Sequence, residues 1–236
     1  MEFNAKKTQT CLLSQKRSPL PGNGLNVGGI DIAKSDTLEV LGTSIRSDLR
    51  WDDHIFGVAK EAAKCLGFLK RCKKYFTPTD LCRIYTTYIR PKMEYNSHLW
   101  AGASKTSLDC LDKVQNRAVK LIGDDSVSNT ITSLGHRRDV GSLVLFYRYY
   151  FGNCSQELKR FLPPMKVFNR NTRLSAQSHP FTVSTMTCRT MHYRDSSFFS
   201  RVAQIWNRLS PGVFPEEFNI TRYKFNINKF LQLSPP

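Results

Sequence analysis

Acidic side chains are scarce in this sequence. Nineteen Asp and Glu stand against 35 Lys and Arg, a net charge of +16. The excess rises along the chain, from +2 over residues 1–50 to +4 over 51–126 and +10 over 127–236. Such a surface favours a polyanionic partner, because phosphates neutralised by Lys and Arg release condensed counterions. Ordered cysteine chemistry is also lacking. The seven cysteines, at 11, 65, 72, 82, 110, 154 and 188, are odd in number and contain no Cys-x-x-Cys, which argues against a disulfide framework or a zinc knuckle. No histidine falls at metal-ligand or triad spacing, and there is no Gly-rich phosphate loop. Residues Met1 to Thr10 hold no apolar stretch of signal-peptide length, and no window reaches the roughly 18 apolar residues of a membrane span. The expected setting is therefore intracellular, in cytoplasm or nucleus, with no membrane contact.

Apolar residues, by contrast, are plentiful enough for a core, at 40% of the chain. Residues 9–14 read as a short strand and 15–29 as a breaker loop rich in Pro and Gly. Thr37 to Ile45 reads as a second strand, in which Gly42 marks a bulge or a close backbone approach. The pattern then turns helical. Ile55, Val58, Ala59, Ala62, Leu66 and Leu69 recur at helical spacing, so a helix capped by Asp52 or Asp53 is expected to run to about Tyr75. A second helix starts at Thr77-Pro78 and is expected to end or kink at Pro91. A third opens at Ser104 or Ser107 and runs through Ile122, with Leu108, Leu111, Gln115, Ala118 and Ile122 on one face. A fourth is expected over Arg138 to Phe151, and two short ones at about Ser197–Leu209 and Arg222–Leu231. Residues 163–192 read as irregular. The aromatic cluster Phe146, Tyr147, Tyr149, Tyr150 and Phe151 reads as core rather than as a base-stacking platform.

Two helices carry basic stripes opposite their apolar faces. Lys60, Lys64, Arg71 and Lys74 fall within an arc of roughly 80° on the first, at 100° per residue. Lys113, Arg117 and Lys120 group likewise on the third. A solvated charged face is common on amphipathic helices, but these stripes hold almost no acidic partners, which suits phosphate contact. Two Asp-Asp pairs, Asp52-Asp53 and Asp124-Asp125, resemble a polymerase's metal-binding pair only in composition. Such a pair needs a strand–turn–strand hairpin. Here one sits at a helix start and the other in a polar turn.

Several segments, in order, carry a family resemblance. Asn4-Ala5-Lys6-Lys7-Thr8, Val40-Leu41-Gly42-Thr43-Ser44-Ile45, Trp51-Asp52-Asp53-His54-Ile55, and Ile89-Arg90-Pro91-Lys92-Met93-Glu94-Tyr95 with Trp100 are the first four. Val114-Gln115-Asn116-Arg117-Ala118, Leu134-Gly135-His136-Arg137-Arg138 and Trp206-Asn207-Arg208-Leu209 follow. Together they resemble the end of the palm, the primer grip, the thumb and the C-terminal region of non-LTR retrotransposon reverse transcriptases of the jockey and CR1 type. One departure is Ser210 before Pro211, which displaces the proline of the family's terminal motif by one.

The resemblance implies a mainly α fold in three parts. Residues 1–50 would form a palm remnant with a short primer-grip-like β-hairpin, 51–126 a helical thumb-like bundle, and 127–236 a basic, partly irregular C-terminal region. It also implies site residues. Lys7 would lie near nucleotide phosphates, Leu41 and Gly42 would approach a primer backbone, and the two stripes would face template–primer duplex, read by shape and phosphates. Arg137 and Arg138 belong to the basic C-terminal block and join this set. The expected partners are RNA and DNA as hybrid or duplex, together with the polymerase palm of a full-length relative. The family's catalytic carboxylates and its endonuclease lie upstream of Asn4. The chain is thus expected to be a truncated piece without polymerase activity, catalytic residues or cofactor of its own, since those aspartates would hold the Mg²⁺. A helical protein-interaction module, or a decayed element without function, is the alternative.

Overall fold

The structure is a computed structural model and describes residue 4 and residues 7–14, 25–152, 154–167, 178–185 and 197–233. It is mainly helical, with two small N-terminal hairpins. Two compact units emerge, each from discontinuous chain. The first combines Met1–Met93 with Ala103–Leu121, and the second Glu94–Gly102 with Ile122–Pro236.

The first unit opens on two hairpins. β1 (Leu25–Val27) pairs antiparallel with β2 (Ile30–Ile32), and β3 (Thr37–Val40) with β4 (Thr43–Arg46). Both have two-residue turns with positive φ at each central position, Gly28-Gly29 and Leu41-Gly42. That geometry matches the right-handed strand twist. The stretch 37–45, expected as one strand, is thus itself a two-stranded hairpin, with Gly42 in its turn. Residues 9–14 do not form a full strand either. Thr10 makes one parallel bridge to Lys34, and Ser14 N–H reaches Ser47 O at 2.8 Å. Of the expected breaker loop, residues 15–24 lie outside the described residues, and its end forms β1 and the first turn.

Helix α1 (Asp52–Arg71) buries Ile55, Ala59, Ala62, Leu66 and Leu69, as the periodicity requires. Its N-cap position is Trp51, not an aspartate, and the helix gives way to a 3₁₀ turn at Lys73–Tyr75. The carboxylates of its first turn work elsewhere. Asp52 accepts from the Ser104 and Ser107 hydroxyls, and Asp53 pairs with Arg46. Thr77 and Asp80 form a capping box for α2 (Pro78–Ile84), with Pro78 at the first position. Pro91 does not end this helical run. A π turn (Tyr85–Ile89) intervenes, Arg90 N–H bonds Tyr85 O, and α3 (Arg90–Glu94) continues through the proline. The wider turn shifts the hydrogen-bond register just where proline would otherwise clash with the preceding turn. α5 (Lys105–Ile122) closes the unit with Leu111, Val114, Gln115 and Ala118 buried. Gln115 is a satisfied core polar group, since Tyr85 Oη donates to its Oε1 at 2.8 Å.

The second unit centres on α7 (Leu134–Tyr150), capped by Ser133 and therefore starting four residues before the expected Arg138. Against it pack α4 (Ser97–Trp100), α9 (Phe198–Trp206) and α10 (Ile220–Leu233). Two single-turn helices, α6 (Asp125–Ser128) and α8 (Gln156–Lys159), connect them. The core joins Val140, Leu143, Phe146 and Tyr147 to Val202, Ala203, Trp206, Tyr223 and Ile227. Phe146 and Tyr147 are thus core, while Tyr149 and Tyr150 are half-buried and Phe151 is at the surface. Within 163–192, Met165 and Val183 form an antiparallel bridge, and residues 168–177 and 186–192 lie outside the described residues.

Candidate nucleic-acid interface

Three surfaces of the first unit meet on α1. Its crest carries the expected stripe: Lys60, Lys64 and Arg71 are exposed, as is Lys74 in the following turn. Lys64 is not without an acidic partner, because Glu61 one turn earlier pairs with it at 2.6 Å. Arg71 lies over the Phe68 ring, 5.7 Å from its centroid, and Lys74 over Tyr75 at 4.9 Å.

One flank of α1 faces α5 across an open groove of about 660 Å³. Its floor is Ala63, Leu66, Gly67 and Leu121, and its walls are Lys70, Lys73, Arg117 and Lys120. Among the described residues no acidic side chain lines it. Four cations round one concave strip, without carboxylates to pair them, form an anion-attracting surface whose low-dielectric walls concentrate the field. The structure thus brings Arg117 and Lys120 of the third-helix stripe together with α1. The residues they meet are Lys70 and Lys73, which a helical plot of α1 sets off its stripe. Lys113 is exposed one turn before Arg117 on the same face of α5. What unites the four is the apposition of two helices some fifty residues apart, and no one-helix pattern reports that.

The remaining expected residues fall elsewhere. Leu41 and Gly42 form the tip of the second hairpin, with the Leu41 side chain 83% exposed. Lys7 is exposed and its N–H bonds Asn4 O. Arg137 is half-buried and makes a two-pronged pair with Glu94, with Nη2 at 2.8 Å from Oε2. Arg138 is buried at 7% exposure. Arg137 is thus engaged by Glu94 with part of its side chain still exposed, and Arg138 offers almost no surface to a phosphate.

Several residues of the recurring segments have structural work of this kind. His54 Nδ1 accepts from Ser44 N–H, and burial lowers its pKa. Glu94 and Arg137, from two different segments, are partners. Trp206 donates its indole N–H to Phe181 O at 2.7 Å, while the Asn207 amide both donates to and accepts from the Val183 backbone. Asp124 of the second Asp pair is equally engaged. Asp124 caps α6 by accepting from the backbone of Ser126 and Val127, and its pKa is lowered, chiefly by the Ser126 hydroxyl. Among the described residues no group of three or more His, Cys, Asp or Glu is placed to hold a metal ion, and no helix is long and apolar enough to cross a membrane.

No family model matches the chain, and neither a curated protein nor a solved structure matches it.

Proposed function

We propose that the chain binds the phosphate backbone of an RNA–DNA hybrid or duplex in the groove between α1 and α5, as the thumb-like part of a reverse transcriptase of the non-LTR retrotransposon type. The observation that carries this reading is the groove itself: Lys70, Lys73, Arg117 and Lys120 face one another and no carboxylate lines the strip. The net charge of +16 supplies attraction at longer range. The ordered segment resemblance supplies the polymer, and the exposed Leu41-Gly42 tip suits the primer-grip role that the resemblance implies.

Binding should be micromolar and weaken steeply with salt. A Lys70→Gln/Lys73→Gln/Arg117→Gln variant is expected to flatten the plot of log affinity against log salt by about two to three units, one for each lost phosphate contact. A Lys34→Gln/Lys159→Gln/Arg160→Gln variant removes the same charge from exposed sites outside the groove and should change the slope less. Titration of a fluorescent hybrid at several salt concentrations measures both. Equal losses would reduce the binding to bulk electrostatics and remove the groove from it.

The same reading assigns these residues no phosphoryl transfer. Asp52, Asp53 and Asp124 are each bonded to neighbouring hydroxyl, guanidinium or amide groups. The chain is expected to extend no primer on an RNA template with Mg²⁺ or Mn²⁺. Extension that disappears in Asp124→Asn/Asp125→Asn would overturn this.

A further inference from the structure

The other flank of α1 carries a second concavity, of about 510 Å³, between α1, the 3₁₀ turn, the end of α2 and the π turn. It lies roughly 160° round the helix axis from the cationic groove, at 100° per residue. Its size falls in the range of about 300–1,000 Å³ typical of small-ligand sites. Leu69 and Ile84 line its interior, Phe76 lines it at 39% exposure, and three further aromatic rings have most of their surface in solvent: Phe68 at 62%, Tyr75 at 73% and Tyr88 at 58%. Each of these three carries a cation. Arg71 lies over Phe68, Lys74 over Tyr75, and Lys92 over Tyr88 at 4.3 Å. Hydrogen bonds to Cys65 and Tyr88 raise the Lys92 pKa above its ordinary value, so the ammonium stays charged. Among the described residues no acidic side chain lines the cleft.

We propose that this cleft takes the unpaired bases of a single-stranded nucleic acid, which stack on Phe68, Tyr75 and Tyr88 while the adjoining phosphates meet Arg71, Lys74 and Lys92. Charge complementarity selects this occupant. A purely apolar protein helix would satisfy the rings and strand three cations at its edge. A paired duplex would satisfy the cations and offer no base face to the rings. An unpaired strand presents π faces and phosphates at alternate points along its length, which is the pattern on this wall. The proposal rests on the reading of the chain as a nucleic-acid binder but uses a surface separate from the groove. With the groove on its other flank, α1 becomes a partition between paired and unpaired strand.

The test compares three labelled ligands on the full chain: an oligothymidine of about twelve nucleotides, within the usual span of single-strand sites, an abasic strand of equal length and charge, and an RNA–DNA hybrid. The thymidine strand should bind about tenfold tighter than the abasic strand, the effect of one stacked base. A Phe68→Leu/Tyr75→Leu/Tyr88→Leu variant should lose that preference while its affinity for hybrid changes less than about twofold. Equal binding of the two strands by the parent chain overturns the cleft, as does a preference that survives in the variant. A parent chain that prefers thymidine over abasic strand yet fails to bind hybrid would remove the groove reading and leave the cleft standing. A measurement on the unaltered chain guards against a variant that does not fold. Cys65 and Cys72 line the cleft, so thymidine strand should slow their alkylation relative to Cys110, and abasic strand should not. Unchanged alkylation counts against the proposal.

Discussion

His179 makes two bonds that only a neutral ring can make together. Its Nε2 lies 2.9 Å from Trp206 O and its Nδ1 accepts from Phe181 N–H, so the proton sits on Nε2. Burial lowers its pKa, against which the bond to Trp206 O is the lesser effect. Burial likewise lowers that of His98, with Arg201 adding to the shift. A lowered pKa means that the stabilisation is present above the unfolded value of about 6.5 and is lost as pH falls through the folded value. The melting temperature of the second unit should therefore drop between pH 7.5 and pH 5. His179→Gln should melt lower at pH 7.5 and change less between the two conditions. Calorimetry at both pH values checks this, and an unchanged pH response in the variant would exclude His179 as a titrating group. Leu41 offers a different residue-level test. It holds φ +49° at a turn tip with its side chain in solvent, a conformation that asparagine adopts more readily. Leu41→Asn should stabilise the hairpin by about 0.5–1 kcal/mol, visible in amide exchange. If Leu41 touches a primer backbone, the same change should weaken hybrid binding.

At the level of elements, the helices were legible because each carries one apolar period. Ile55 to Leu69 and Leu111 to Ile122 bury the faces their spacing marks. Boundaries failed where a local bond outweighed the pattern. Ser133 starts α7 early. Two outcomes were expected at Pro91, an end or a kink, and the helix does not end there but passes through a π turn. The hairpin expected within residues 1–50 is present, but the pattern over 37–45 read as a strand without its turn, because Leu41-Gly42 is not the usual Asn-Gly signature. For the site, Arg117 and Lys120 were visible on their own helix, but Lys70 and Lys73 became groove residues only through the approach of α5. Arg137 read as a binding charge because a half-buried two-pronged pair and an exposed cation look alike in sequence, and Arg138 because a lone basic residue does not announce its burial. Glu94→Gln tests that pairing. It should destabilise the second unit by about 1–2 kcal/mol, since one charge-assisted bond pair in a half-exposed setting is lost. Thr77→Ala, which removes a capping box, should cost about 1 kcal/mol in the first unit. Chemical denaturation gives both values.

On the scale of the whole molecule, the path of the chain matters more than the count of its helices. Residues 94–102 belong to the second unit, although residues on both sides of them belong to the first. Trp100, wholly buried on a helix that packs against α7, and Glu94, paired with Arg137, thus depend on a helix that follows α5 in the chain. During synthesis this segment leaves the ribosome well before α7 does. Until α7 arrives, an indole and a carboxylate wait without their shell. A chain cut after Leu121 holds all of the first unit's residues but keeps that bare segment inserted within it. It should bind a hydrophobic dye and aggregate on warming, and Trp100→Ser in the cut chain should relieve both. The same replacement in the full chain should cost about 3–5 kcal/mol, the usual penalty for emptying a large aromatic site. The opposite signs would make Trp100 an inherited liability of any early stop, tolerable only when translation runs on through α7.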